Sequence, residues 1–570
     1  MPNPNRSFAS DDRSTVTLAT GQVAHRNHVA QSEILQRWLY TVRPGVHTLV
    51  GNGLSNQTFV EAPDGVIAID TGESVEEMRD AIAELRQVCD RPIVAVLYTH
   101  FHYVGGTPAV FDDGAAADIP IWAHAKVVHN RTRTASEIAT AYGRGLVEQF
   151  AINLPASGPD GAINVGLGHF YRNPAHAPFT SVFVPPTHTF AEPTTIRVAG
   201  LEVGVTPAPS DADDSVTFWF PALGVAVHNL VWPVLFNIFA IRGEEYRDPR
   251  VLLAGVDHLL SLGAEHLVAA HGPPMSGVDE IARRVTRYRD SIQFLWDQSV
   301  RHINKGATAV DLAHRVSLPA YFDDDFVTAE RYGVAEHHVR QIRNGLFGFF
   351  DGDESQLFPL PTAERADRMV AGFGGRGTVR GLVTAALDAD DVRWATEMAT
   401  WLARSTDAEQ PDRDLLARAL RVIAQRTPAA NIRSWCLTRA LSLEGAIDTS
   451  RLYQHRFNRR QVMASPPANS VHVLRVMLDP DDVSDLDVHV AFDIGAGPRT
   501  GLHFRNGVAC PTDGEGATAT LTCDTDAWAD LLTGKATLSA LSGSGAVSLT
   551  GATTEATRAL RAIECEGLRS

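Results

Sequence analysis

The residues best suited to chemistry lie in the run Leu97-Tyr98-Thr99-His100-Phe101-His102-Tyr103-Val104-Gly105-Gly106, where an apolar strand ends in two histidines and passes into a Gly-Gly turn. Imidazoles at i and i+2 just beyond a strand end escape the strict alternation of strand faces, so both can converge on one cation. An H-x-H pair alone is a weak signal, because two histidines also meet by chance in loops. The context recurs, however: His228 closes the apolar run GVAVH and His271 closes HLVAAH. Three strand ends thus deliver four histidines, and in α/β folds such ends gather on one rim where loops build the site. We expect His100, His102, His228 and His271 to share a metal. For either His228 or His271 alone, a packed role is an equal alternative. Zinc accepts such a set, and so do iron, manganese and copper.

These histidines need a scaffold. From Trp38 to Thr71 short apolar runs alternate with Pro-Gly, Asn-Gly and Asp-Gly turns, which predicts an antiparallel sheet. The segment SVEEMRDAIAELRQV has helical apolar spacing behind a Ser cap, and PIVAVLYTH follows as a strand. Strand and helix alternating around buried strands indicate an α/β layer fold. Residues from about Leu154 to Pro193 are rich in Gly, Pro and Asn with little periodicity, which predicts a long loop covering a site. Beyond His271 helices dominate: one over SGVDEIARRVTRYRDSIQFLWDQSVRHINKG, one over AEHHVRQIRNGLFGFF, and three between Thr378 and Gly445. After Ser465-Pro466-Pro467 the segments VHVLRVML, DVHVAFDI, GLHFRNG, ATATLTCD and ATLSALSGSGAVSLTG read as strands, followed by a helix.

Composition narrows the partners. With 570 residues the chain needs several cores. A net charge of -17 with no basic cluster argues against nucleic acid, and an anionic substrate would need a local Arg or His pocket. The five cysteines are scattered, without CxxC spacing, which disfavours a disulfide framework or a cysteine zinc site and suits a reducing compartment. No run suits a signal peptide or a membrane span, so the cytoplasm is the expected location.

The order THFH, Gly-Gly, SDADD, VHN, IRGEEYRDP, AAHGPP and YGVAEHHVRQIRNGLFGFFDGDE resembles the alkylsulfatases of the metallo-β-lactamase superfamily, through nearly the whole chain. The resemblance implies an α/β metallo-β-lactamase αββα sandwich, an all-α dimerisation domain and a small α+β sterol-carrier-like domain. On it we place an N-terminal extension at 1–34, a catalytic domain at 35–275, a helical dimerisation region at 276–375, a helical region at 376–462 and the last domain at 463–570. It further implies a homodimer, held by helices between about Val278 and Phe373. Arg242 and Arg247 match family arginines and His337 a family histidine, which implies an anion-binding side suited to forked guanidinium donors. An Arg247-Asp248 structural pair is the alternative. Asn56 and Tyr332 are further pocket candidates, with turn and packing roles as alternatives.

The chain departs from the family at the metals. The alkylsulfatases carry H-x-H-x-D-H before Gly-Gly, and here His102 is followed directly by Tyr103-Val104-Gly105-Gly106. The Asp and third His implied to hold a second zinc are absent, and His228 stands where the family has Glu. Within SDADD, Asp211 and Asp214 can still reach a metal, although an exposed acidic loop is as good a reading. His124 replaces a family position that is not a ligand. The expectation is a mononuclear set of His100, His102, His228 and His271 with an optional Asp, holding a divalent metal: zinc first, iron or manganese otherwise. The leading reading is hydrolysis of an ester in a small anionic or amphiphilic substrate. The alternatives are a repurposed scaffold doing redox, elimination or rearrangement chemistry, and a non-catalytic lipid- or metabolite-binding dimer.

Overall fold

The computed structural model describes residues 6–569, in two compact units. The first comprises residues up to 130 and 145–448, and the second residues 131–144 and 449 onward. In the first unit a seven-stranded sheet runs in chain order through Trp38–Arg43, Val46–Val50, Gln57–Ala62, Gly65–Ile69, Ile93–Leu97, Ile121–His124 and His188–Phe190. Its first four strands pair antiparallel, as the tight turns predict, and the later ones pair parallel through helical crossovers. A six-stranded sheet follows: Thr194–Val198, Leu201–Pro207, Val216–Phe220, Val225–His228, His266–Ala269 and Met275–Ser276.

The two sheets pack face to face through Val46, Val60, Ile67, Ile69 and Leu97 on one side and Val203, Val205, Phe218, Val227 and Val268 on the other. The helix Val75–Leu85 covers the outer face of the first sheet with Met78, Ala81, Ile82 and Leu85, which share a core with Phe59 and Val96. Ser74 caps it by accepting the Glu77 N–H at 3.2 Å. On the second sheet's outer face lie Leu252, Val256 and Leu259 of the helix Pro249–Ser261. This is the αββα sandwich. The same core continues into Val285, Tyr288, Ile292 and Leu295 of the helix Val278–Ile303 and Val339 and Ile342 of Ala335–Phe347. The long helix is therefore welded to the sandwich, and the expected boundary at 275/276 is no break between compact units.

The helices Thr362–Gly372, Arg376–Asp388, Val392–Arg404, Gln410–Arg426 and Ala430–Leu443 share a core of their own. Four of them, rather than the expected three, lie between 376 and 443. The expected loop over 154–193 is almost free of helix and strand, yet Val165, Leu167 and Tyr171 are buried in the core, so packing rather than hydrogen-bonded regularity fixes it.

The second unit carries a mixed five-stranded sheet, ordered Val508–Thr512, Thr500–Arg505, Asp487–Ile494, Ala519–Cys523 and Val547–Gly551. Two readings are corrected here. The segment VHVLRVML forms no strand: Pro467 opens a helix, Pro467–Val473, and a 3-10 turn over Leu474–Met477 extends it, burying Val471, Leu474 and Met477 at three-residue spacing. In ATLSALSGSGAVSLTG the first half is the helix Leu538–Ser544, ended by Gly545 in a left-handed conformation, and only Val547–Gly551 is strand.

Candidate metal centre

Asp70 ends the strand Gly65–Ile69 with φ of 57°, a left-handed conformation unusual for a non-glycine residue. That turn aims its carboxylate at the next strand end, where it accepts the Thr99 N–H at 2.8 Å and the Thr99 hydroxyl at 2.6 Å. The Thr99 Oγ, its own proton given to Asp70, lies 2.9 Å from His100 Nδ1 and accepts from it. His100 Nε2 is thereby left as a lone pair facing the site, the tautomer a metal requires. Burial pushes the Asp70 carboxyl up to about 6, against the pull of His100 and the Thr99 hydrogen bonds.

Residues Phe101–Tyr103 make one 3-10 turn. Asp214 accepts the Phe101 N–H at 3.1 Å, and Val104 bridges to Gly72. A Cβ on Gly106 would overlap the Thr71 carbonyl, so the Gly-Gly turn exists for close approach of two backbones.

His102 Nδ1 then lies 3.1 Å from His100 Nε2 and 2.6 Å from Asp211 Oδ2, and His100 Nε2 lies 3.4 Å from the same oxygen. Ligands about 2.1 Å from one tetrahedral ion are roughly 3.4 Å apart, so this triangle fits one cation. His100, His102 and Asp211 form the group of His, Cys, Asp or Glu donors, all within 4.8 Å, found among the described residues. A metal would be held there.

Arg247 fixes the carboxylate: its guanidinium meets Asp211 Oδ1, donates from Nε to the Asp211 carbonyl at 3.1 Å and from Nη1 to the Asn237 carbonyl at 2.6 Å. Burial would raise the Asp211 carboxyl, but Arg247 and the two imidazoles hold it well below the usual carboxylate range. Arg242 lies 2.7 Å from Glu244 and 3.9 Å from Asp211, while Glu244 lies 3.9 Å from His102 Nε2. Two arginines and two carboxylates thus alternate, buried, beside the donors. Asp248 is not the partner of Arg247; it caps the helix Pro249–Ser261 by accepting from Arg250.

The other expected residues disperse. His228 lies outside the group, because its Nδ1 accepts the N–H of Leu230 at 3.0 Å and of Val231 at 3.3 Å, turning the ring back onto its own strand end. Its Nε2 is buried without a hydrogen-bond partner, and burial pushes its pKa down to about 3. His271 also lies outside the group: Nδ1 meets the Leu54 carbonyl at 3.0 Å and Nε2 the Tyr103 hydroxyl at 3.2 Å. Asp214 braces the turn rather than joining the donors. Asn56 donates to the Ala269 and Gly272 carbonyls at 2.8 and 2.7 Å, tying down the chain around His271. Tyr332 accepts from Gln149 at 2.8 Å and stands 6.0 Å edge-on from Trp232. His337 lies against Phe239, and burial drives its pKa down to about 4. His124 accepts the Lys126 N–H and lies outside the group.

Sequence reasoning missed Asp70, Thr99, Tyr103, Asn229 and Glu244. Asn229 Nδ2 lies 3.4 Å from the His100 ring nitrogens, and its Oδ1 accepts from Trp232 at 3.0 Å. A signal existed for Asp70, an acidic residue directly closing an apolar strand, and for Tyr103 beside His102; Glu244 and Asn229 depend on loop paths that carry no local pattern.

Comparisons with known proteins give the chain its family. Residues 50–227 match the metallo-beta-lactamase superfamily and residues 308–446 the alkyl sulfatase dimerisation family. A linear primary-alkylsulfatase of Pseudomonas sp. (strain ATCC 19151) is 32% identical over 448 residues, spanning 76% of this chain and 84% of that protein. The chain belongs to the alkylsulfatase family. An (R)-specific secondary-alkylsulfatase of Pseudomonas sp. is 26% identical over 513 residues, spanning 87% of this chain and 75% of that protein. The solved stereoselective inverting sec-alkylsulfatase Pisa1 of Pseudomonas sp. superposes with a TM-score of 0.84 at 22% identity, covering 99% of this alkylsulfatase-family chain and 92% of the other, which shows that the fold is shared.

Proposed function

We propose that this alkylsulfatase-family protein is a metal-dependent hydrolase that cleaves the sulfate ester of an amphiphilic alcohol. The observation that carries the reading is the convergence of His100 Nε2, His102 Nδ1 and Asp211 Oδ2, buried at the strand ends and braced by Arg247. A divalent cation in that set, zinc in the first instance, supplies Lewis-acid polarisation of the oxygen atoms brought against it.

The chain's own residues supply the rest. Asp70 and Thr99 keep His100 in one tautomer, and Arg247 keeps Asp211 ionised and oriented. Arg242, 3.9 Å from Asp211, is the guanidinium placed to meet a sulfate oxygen, and His337, packed against Phe239, is a further candidate. Trp232, Phe236 and Tyr332, buried around Arg247 and His271, give the site an apolar wall that suits an alkyl chain. The chain acts as a homodimer through its dimerisation region, and among the described residues no helix is long and apolar enough to cross a membrane.

The test is sulfate release from medium-chain alkyl sulfates by protein stripped with chelator and reloaded with zinc, iron(II) or manganese(II). Metal-restored release supports the reading. Absence of release with every metal, from folded protein and across chain lengths, would overturn it.

A further inference from the structure

We propose that the centre takes a single divalent cation, bound by His100 Nε2, His102 Nδ1 and Asp211, and that His271 is not among its ligands because Tyr103 holds it. The proposal rests on the metal-dependent reading above and adds its stoichiometry and donor set.

The geometry of His271 argues first. A backbone carbonyl only accepts, so the contact to Leu54 O at 3.0 Å puts the His271 proton on Nδ1 and leaves Nε2 as a lone pair. The donor that reaches that lone pair is the Tyr103 hydroxyl at 3.2 Å. The Tyr103 ring stands edge-on to both imidazoles, with centroids 5.0 Å from His100 and 5.3 Å from His271. It is a buried wedge between the donor group and the fourth histidine. Releasing His271 would leave the phenol without this acceptor in a closed core, an expensive loss.

Among the described residues no other set of donors completes a second site. His228 accepts two backbone N–H groups on Nδ1, which places its proton on Nε2 and removes that atom as a ligand in this tautomer. Asp214 spends Oδ2 on the Phe101 N–H, and its buried Oδ1 joins no group of three described donors. The chain between His102 and Gly105 is consumed by the 3-10 turn and the Val104 bridge to Gly72, so it offers no further carboxylate or imidazole. Among the described residues no second trio of metal-binding side chains converges. Two imidazoles and one carboxylate suit zinc, iron(II) or manganese(II).

The experiment is metal analysis of the full chain, stripped by chelator, incubated with excess zinc, desalted, and measured by mass spectrometry of the element together with protein concentration. The parent protein and His271→Ala should each carry one zinc per chain, and Asp211→Ala should lose it. Two zinc ions per parent chain, or loss of zinc from a His271→Ala protein that still melts cooperatively, would overturn the proposal. The parent count needs no variant to fold. Two ions with sulfate-ester turnover intact defeats the stoichiometry alone, whereas no ion and no turnover defeats the functional reading beneath it.

Discussion

Asp211 shows how little a residue type says without its neighbours. In sequence it is one of three aspartates in an acidic loop. In the structure Asp213 pairs with Lys126 at 2.7 Å, Asp214 braces a turn, and Asp211 alone meets the two imidazoles. The selector is Arg247, whose fork holds both the carboxylate and the Asp211 carbonyl. Replacing Arg247 with Lys keeps the charge and removes the fork; we expect zinc affinity to fall about 10–100-fold, measured by chelator competition. An unchanged affinity would mean that Asp211 needs no brace. His228→Ala is expected to lower thermal stability, by freeing two backbone N–H groups at a strand end, and to leave the zinc content intact. Loss of zinc in proportion to His228 would restore it as a ligand.

At the scale of the element, the first turn of the helix Val75–Leu85 lies beneath the loops that carry the site. Its Glu77 is wholly buried, accepting from Gln57 at 2.8 Å and from the Glu73 N–H at 3.0 Å, and burial pushes its carboxyl up to about 8. A carboxyl raised in the folded state stays protonated where the unfolded chain has already ionised. Between the unfolded pKa near 4.5 and the folded value near 8 the native state binds more protons, so stability falls as pH rises, by up to about 1.4 kcal/mol per pH unit. Chemical denaturation of Glu77→Gln should show a flatter profile than the parent across this window. A parent profile already flat there would show that Glu77 ionises on folding as it does unfolded. The neighbouring Gly-Gly turn permits a steric test: Gly106→Ala places a methyl against the Thr71 carbonyl, and we expect loss of stability together with loss of zinc, since the same turn carries His102.

For the whole molecule the relevant surface is the segment from Phe347 to Leu360. Phe349 is 81% exposed and Phe358 is 89% exposed, with Phe347, Leu357 and Leu360 also outside, a concentration of apolar side chains that a solitary soluble chain rarely shows. It falls within the residues matched to the alkyl sulfatase dimerisation family, so a second copy is the expected cover. Light scattering should give twice 61.7 kDa for the parent, and Phe349→Ser with Phe358→Ser should shift the protein towards 61.7 kDa. A double variant that remains fully dimeric would move the interface elsewhere on the helical region.

Some of this was legible in the sequence because its causes are local. Turn residues and two-residue alternation mark the first sheet, Ser74 and the apolar spacing of Met78, Ala81, Ile82 and Leu85 mark the helix behind it, and THFH at a strand end marks His100 and His102 as two imidazoles that converge. The C-terminal errors have local causes too: VHVLRVML satisfies a two-residue and a three-residue period alike, and burial of one helical face decided between them. What the sequence could not decide was which of the remaining residues meet. A histidine at a strand end faces the site or its own backbone according to a single side-chain rotation, and His228 is captured by the free N–H groups of Leu230 and Val231. His271 is claimed by the Leu54 carbonyl and the Tyr103 hydroxyl, which are 217 and 168 residues away along the chain. Asp211 joins His102 from 109 residues away, and Arg247 reaches it from a further 36. Such pairings leave no periodicity in the chain, because packing of two sheets and their loops, not any local preference, brings the partners within hydrogen-bonding distance.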